Sequence, residues 1–213
     1  NFSILDFSSK FSRSSFSSRC CARFQASMPP ADRSASSTKA APEASRLRSL
    51  RALVLDCDGV LTTGGLFYDE SGRRLLRFDS KDGLGMAMLT KTEVKLAILS
   101  GRSVDIATQR FRELGVAHLR GRCRDKAEGV IELCAALNIA PSACAFVGDD
   151  LPDLRAFARV GLKIAVADAA PELHAAADWV TRARGGRGAV REICEAILKA
   201  RGDWQRWLAD VVT

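Results

Sequence analysis

Three short apolar runs constrain this chain more than any other feature: Ala52-Leu53-Val54-Leu55, residues 94–99 and residues 143–147. Each is four to six residues long and bounded by turn-forming residues, the pattern of a strand buried on both faces. Between and after them lie stretches with helical spacing at residues 83–92, 104–114, 126–137 and 189–200, and two further strand signals at 162–166 and 178–181. Strands alternating with helices predict an α/β fold: a three-layer, Rossmann-like parallel sheet. Residues 64–78 break the alternation and read as a β-hairpin, Leu66-Phe67-Tyr68 and residues 75–78 around a turn at Asp69-Glu70-Ser71-Gly72. This hairpin is a small insertion in the alternating pattern.

The ends of the three runs are polar: Asp56-Cys57-Asp58-Gly59, Ser100-Gly101-Arg102 and Gly148-Asp149-Asp150. In open α/β sheets ligands bind beyond the carboxyl ends of the strands, so these ends should meet at one site. Asp56 and Asp58 are two apart and face one side of an extended segment, with Cys57 turned away. Carboxylates this close repel unless a cation lies between them. With Asp149 added, the donor set suits Mg²⁺, which takes a few carboxylates together with waters and phosphate oxygens. A carboxylate can attack phosphorus, and a second can protonate the leaving oxygen and then activate water. Asp56 fits the first role and Asp58 the second. The Ser100 hydroxyl and the Lys126 ammonium can hold the phosphoryl group. Singly, each has a plainer reading: a capped loop for D-x-D, an N-cap for Ser100, a solvated lysine for Lys126. Their joint placement at strand ends favours chemistry.

Composition excludes other classes. The seven cysteines are odd in number, scattered and without a C-x-x-C pair, against a disulfide framework or a zinc site. With two histidines, His118 and His174, chemistry must rest on carboxylates, lysine or a metal. The formal charge of +7 raises nucleic acid as a partner, but the arginines are dispersed, and anionic small molecules explain the charge as well. No apolar stretch approaches the ~20 residues of a membrane helix. Residues 1–45 are Ser/Arg-rich and poor in acids; they read as a disordered extension or as sequence upstream of a start at Met28, with an organelle transit peptide as the alternative. The expected organisation is a phosphatase domain over 46–200 and a tail over 201–213. The expected location is cytoplasmic, or plastid or mitochondrion if the extension is a transit peptide.

The motifs Asp56-x-Asp58-Gly59-Val60-Leu61-Thr62, Ser100-Gly101-Arg102, Lys126 and Gly148-Asp149-Asp150-x-x-Asp153 resemble, in order and spacing, the four motifs of the haloacid dehalogenase superfamily. Within it, Phe78-Asp79-Ser80-Lys81-Asp82-Gly83 and Gly185-Gly186-Arg187-Gly188-Ala189-Val190-Arg191-Glu192 are similar to the 3-deoxy-D-manno-octulosonate 8-phosphate phosphatases. The same phrases occur in relatives acting on nine-carbon sialic-type sugar phosphates and in the carboxy-terminal domain of animal sialic acid cytidylyltransferases, so the alternatives are a nine-carbon sugar 9-phosphate phosphatase or a catalytically inactive binding or oligomerisation module of this fold. The resemblance implies Mg²⁺ held by Asp56, the backbone carbonyl of Asp58, and Asp149. Asp150 and Asp153 would stand behind it, orienting Lys126 or metal-bound waters. It places Asp58, Asp79, Ser80, Lys81, Asp82, Gly83, Arg102, Arg110 and Lys126 around the substrate. Arg102 and Arg110 lie eight apart around one expected helix, so they can share a face, and Arg187, in the glycine-rich segment before the last helix, can reach a neighbouring site. The resemblance also implies no large cap domain, the hairpin taking its place, and a homotetramer joined through the hairpins. Two departures stand out: Ala87 replaces an arginine found in several bacterial members, and Ser100 replaces a threonine. Trp204 and Trp207 in the tail read as packing anchors.

Overall fold

Six strands lie side by side in the order β5-β4-β1-β6-β7-β8, all parallel: β1 (Ala52–Leu55), β4 (Lys95–Leu99), β5 (His118–Arg120), β6 (Cys144–Gly148), β7 (Leu162–Ala165) and β8 (Trp179–Val180). This is a computed structural model, and it describes residues 39–212, with side chains through Ala209. The expected extension and transit peptide lie, up to residue 38, outside the described residues. The Lys39 ammonium donates to the carbonyls of Ala175 and Ala177, and the Lys39 carbonyl accepts the Val180 N–H. Residue 46, the start of the expected domain, lies in the first helix among the described residues, α1 (Ala44–Arg48).

Every residue of β1 and β6 is buried. Successive side chains on a strand point to opposite faces, so both faces of the sheet centre are covered. One helical group is α1, α2 (Ser80–Leu89) and α7 (Ala189–Arg201), extended by α8 (Asp203–Val212); another is α4 (Lys126–Ala136) with α5 (Leu154–Phe157) and α6 (Pro171–Ala176). Leu53, Val54 and Leu55 pair in register with Leu96, Ala97 and Ile98 on one side and with Ala145, Phe146 and Val147 on the other. That register sets the ends of β1, β4 and β6 at one level.

Several elements differ from expectation, each for a local reason. Helix α2 starts at Ser80 rather than 83, because the Asp79 carboxylate caps it by accepting the N–H groups of Lys81 and Asp82. The helix expected over 104–114 opens as a single 3-10 turn, Asp105–Ala107, before α3 (Thr108–Glu113). The hairpin is present but short, β2 (Phe67–Tyr68) against β3 (Arg74–Leu75). The tail is helical: Trp204 and Trp207 pack against the core, with Lys199 4.9 Å from the Trp204 ring and Lys91 4.6 Å from the Trp207 ring. His118 lies in β5, and the His174 ring meets the Val166 carbonyl at 3.0 Å. Cys123, Cys134, Cys144 and Cys194 are buried free thiols. No helix among the described residues is long and apolar enough to cross a membrane.

Candidate active site

The ends of β1, β4 and β6 open onto a cleft of about 380 Å³ lined by Asp56, Asp58, Ser100, Arg102, Lys126, Asp149, Asp150 and Asp153, among others. Asp56 follows β1 directly, and its N–H donates to the Val147 carbonyl, so the nucleophile candidate is held by the sheet ladder itself. Lys126 begins α4 behind the Asp125 cap and puts Nζ 2.9 Å from Asp56 Oδ1. The same ammonium donates to Asp153 Oδ1. Asp153 spends its other oxygen on the N–H groups of Asp149 (2.9 Å) and Asp150 (3.2 Å), tying Lys126 to the loop after β6. Asp150 turns its own carboxylate onto the Leu151 N–H, as a helix cap.

Carboxylate oxygens of Asp56, Asp149 and Asp153 lie within 4.8 Å of one another. Burial raises Asp56 to about 6, Lys126 opposes that rise, and Asp153 adds to it. Burial, with the charges of Asp56 and Asp153, raises Asp149 to about 8. For Lys126, burial pulls downward, but Asp56 and Asp153 more than offset it and hold the pKa above its ordinary value. One ammonium therefore balances three clustered acids incompletely, and a divalent cation fits there. Asp153 is 1% exposed with both oxygens engaged, which leaves Asp56 and Asp149 as the carboxylates free to bind it. Gly59 makes the approach possible. Its φ is +96°, and a Cβ there would collide with the Asp149 carboxylate.

Asp58 stands on the other side of the cleft, with Oδ1 3.5 Å from Arg74 Nη2 and Oδ2 3.7 Å from Arg102 Nε. Cys57 turns into the core, where burial pushes its thiol up to about 12. The Ser100 hydroxyl accepts the Arg102 N–H at 3.2 Å, leaving its own proton to donate into the cleft. The arrangement can present a charged oxygen nucleophile, a neighbouring proton carrier and cations to one phosphoryl group.

The remaining substrate-side residues lie elsewhere within the chain. Asp79, Asp82, Gly83 and Arg110 surround a small cavity with Phe78 and Phe111. Asp82 is 1% exposed, and its oxygens accept the N–H groups of Gly188 (3.1 Å) and Arg191 (2.7 Å). Burial raises its pKa, against the opposing pull of those two donors. It thus pins the glycine-rich loop before α7. That loop presses on the turn after β1: Gly186 N–H donates to the Val60 carbonyl, and a Cβ at Gly185 would collide with the Gly59 carbonyl. Ser80 and Lys81 are exposed. Arg110 pairs with Glu113. Because α3 starts only at Thr108, Arg102 is not on a helix with Arg110, and the shared helix face does not form.

A haloacid dehalogenase-like hydrolase model matches residues 122–193. The 3-deoxy-D-manno-octulosonate 8-phosphate phosphatase of Escherichia coli K12 is 41% identical over 157 residues, 74% of this chain and 84% of that protein. The chain belongs to the 3-deoxy-D-manno-octulosonate 8-phosphate phosphatase family. Solved structures of the family superpose closely. The Yersinia pestis phosphatase gives a TM-score of 0.74 at 40% identity over 76% of this chain and 88% of that one. The Moraxella catarrhalis phosphatase, solved with magnesium, phosphate and KDO, gives 0.76 at 36% identity over 79% and 97%. Against the family pattern, Ala87 packs half-buried on the core from α2. Arg187 lines a separate basic groove along α7, with Lys81 and Arg182. Sequence reasoning missed Arg74. Its only sequence signal is a charged residue on the inward side of a hairpin strand whose neighbour Leu75 points outward.

Proposed function

We propose that this protein is a Mg²⁺-dependent phosphatase that hydrolyses 3-deoxy-D-manno-octulosonate 8-phosphate to the free sugar acid and phosphate. The observation that carries the reading is Asp56, buried at the end of β1, facing Lys126 at 2.9 Å and clustered with Asp149. Asp56 and Asp149, with the backbone carbonyl of Asp58, would hold Mg²⁺. The bound ion supplies positive charge that offsets repulsion between the carboxylates and the incoming phosphate.

The chain's own residues do the rest. Lys126 keeps Asp56 ionised and neutralises charge on the transferring group. An Asp56 oxygen attacks phosphorus, the bond from phosphorus to the sugar oxygen breaks, and Asp58 gives that oxygen its proton. Asp58, now a carboxylate, removes a proton from a water. The water oxygen bonds to phosphorus, the Asp56–phosphorus bond breaks, and the Asp56 carboxylate returns. Ser100 donates a hydrogen bond to a phosphoryl oxygen. Arg102, 52% exposed at the rim, meets the anionic sugar. Asp153 holds Lys126 and the loop carrying Asp149, and Asp150 fixes the first turn of that loop. Assembly is a homotetramer through the hairpin, whose Leu66, Phe67, Tyr68 and Leu75 are about half exposed.

The test is phosphate release from a panel of keto-sugar phosphates, including a nine-carbon sialic-type 9-phosphate, with and without Mg²⁺. The octulosonate 8-phosphate should be turned over best. Absence of Mg²⁺-dependent release from every member refutes the activity, and preference for the nine-carbon substrate reassigns the sugar. Asp56→Asn should lower turnover by at least ~10³-fold while leaving the fold intact; an active variant refutes the nucleophile.

A further inference from the structure

We infer that Arg74 is a positioning residue for Asp58, through which the hairpin fixes the orientation of the proton-carrying carboxylate. The inference rests on the reading of Asp58 as the acid–base group. Three observations carry it. Asp58 has one cation on each oxygen, Arg74 at 3.5 Å and Arg102 at 3.7 Å, so the carboxylate is restrained about its own axis. The two cations differ in setting: the Arg102 side chain is 52% exposed and the Arg74 side chain 16%. An ion pair shielded from water is screened less, so Arg74 is the stronger restraint. Finally, Arg74 is inward on a hairpin that otherwise faces out: Arg73 and Leu75 on either side of it are exposed, as are Phe67 and Tyr68 across the ladder.

Packing does not account for this arginine. Its Nε is buried and has no hydrogen-bond partner among the described residues, which disfavours the folded state. An aliphatic residue would fill the position without that cost. What the guanidinium adds is a charge at Asp58 delivered from a separate element, 16 residues along the chain. Movement of the hairpin therefore moves a group at the reacting centre. General acid catalysis depends steeply on placement, and an error of about 1 Å can cost on the order of 10²-fold.

The test compares Arg74→Met, Arg74→Lys, Asp58→Asn and the Arg74→Met/Asp58→Asn double variant on octulosonate 8-phosphate at saturating Mg²⁺, with circular dichroism and melting to confirm folding. Arg74→Met should lower kcat by about 10- to 100-fold with KM changed less than about twofold. Arg74→Lys should recover part of the loss. The double variant should be no slower than Asp58→Asn, since a residue acting through Asp58 has nothing left to position. On 4-nitrophenyl phosphate, whose leaving group needs no proton, the first-turnover rate of Arg74→Met should fall less than on the sugar phosphate. A folded Arg74→Met with unchanged kcat overturns the inference. So does a raised KM at constant kcat, which marks a substrate contact, and so do additive losses in the double variant. Full activity of Asp58→Asn overturns instead the reading beneath it, through a variant that leaves Arg74 untouched.

Discussion

Replacing Lys126 with methionine keeps the aliphatic stem and removes the ammonium between Asp56 and Asp153. Lys126 and Asp56 are each 7% exposed and Asp153 1%. At 2.9 Å and an effective dielectric of ~20, one such pair attracts by about 6 kcal/mol. Desolvation offsets much of this, and removing one partner of a buried pair typically costs about 3–5 kcal/mol. The cost depends on pH with a definite sign. Asp56 and Asp149 are already raised to about 6 and about 8 with Lys126 present. Without it they rise further, so the folded variant holds protons that the unfolded chain, with carboxyls near 3.8, has released. Where the folded state binds more protons, stability falls as pH rises. The gap between variant and wild type is therefore widest near pH 8 and narrows toward pH 5. Urea unfolding in chelator, followed by circular dichroism, measures it. With a slope of roughly 2 kcal/mol per molar, the midpoint should drop by about 2 M at pH 8 and by less than half as much at pH 5. An unchanged midpoint at pH 8, or an equal drop at both pH values, refutes the electrostatic account of this cluster.

Gly59→Ala should abolish Mg²⁺ binding by calorimetry and reduce turnover by at least ~10²-fold, because its Cβ occupies the place of the Asp149 carboxylate; wild-type affinity would show that this approach is not needed. In the wild type, metal binding should expel protons from Asp56 and Asp149, so Mg²⁺ affinity should rise by up to about tenfold per pH unit from 6 to 8. A pH-independent affinity, or no dependence of binding heat on buffer ionisation, contradicts the raised pKa values. For the proposed tetramer joined through the hairpins, Phe67→Lys with Leu75→Lys should give monomer in light scattering while secondary structure is retained; a wild type that is itself monomeric refutes the tetramer, and an oligomeric variant removes the hairpin from the interface.

The catalytic cluster was legible in the sequence because it sits where local pattern is strongest. β1 and β6 are buried throughout and β4 is buried after its exposed first residue, Lys95, so all three appear as short, mainly apolar runs that stop at the candidate catalytic residues. β5 was not legible: at the sheet edge, three residues beginning with His118 and ending with Arg120 carry no apolar run. The four-residue α5 and six-residue α6 are too short for helical periodicity to register. Asp82 lay in a recognisable phrase, but its partners Gly188 and Arg191 are 106 and 109 residues away. The phrase shows that the residue matters; only the packing of α2 against α7 shows that it receives backbone donors. Arg74 belongs to no motif, and its meaning depends on the hairpin folding back over the β1 end.

The site divides its charge in space, and the division dictates where each reactant goes. On the β6 side, three carboxylates surround one ammonium; once metal binding has expelled the protons that Asp56 and Asp149 hold, two negative charges remain, the complement of one divalent cation. On the β4 and hairpin side, Arg74 and Arg102 flank Asp58, so this side is net positive whether Asp58 carries its proton or has given it up. A phosphorylated sugar acid is repelled by the first half until a cation occupies it and attracted by the second half throughout. Asp56 lies where the halves meet, with Lys126 against it. In the proposed mechanism, attack by Asp56 on phosphorus would place the new anionic group between the cation site and the arginines, with Asp58 on the arginine side beside the leaving oxygen. The geometry thus ties the choice of a divalent ion to the count of carboxylates, and ties the direction of substrate entry to Arg74 and Arg102.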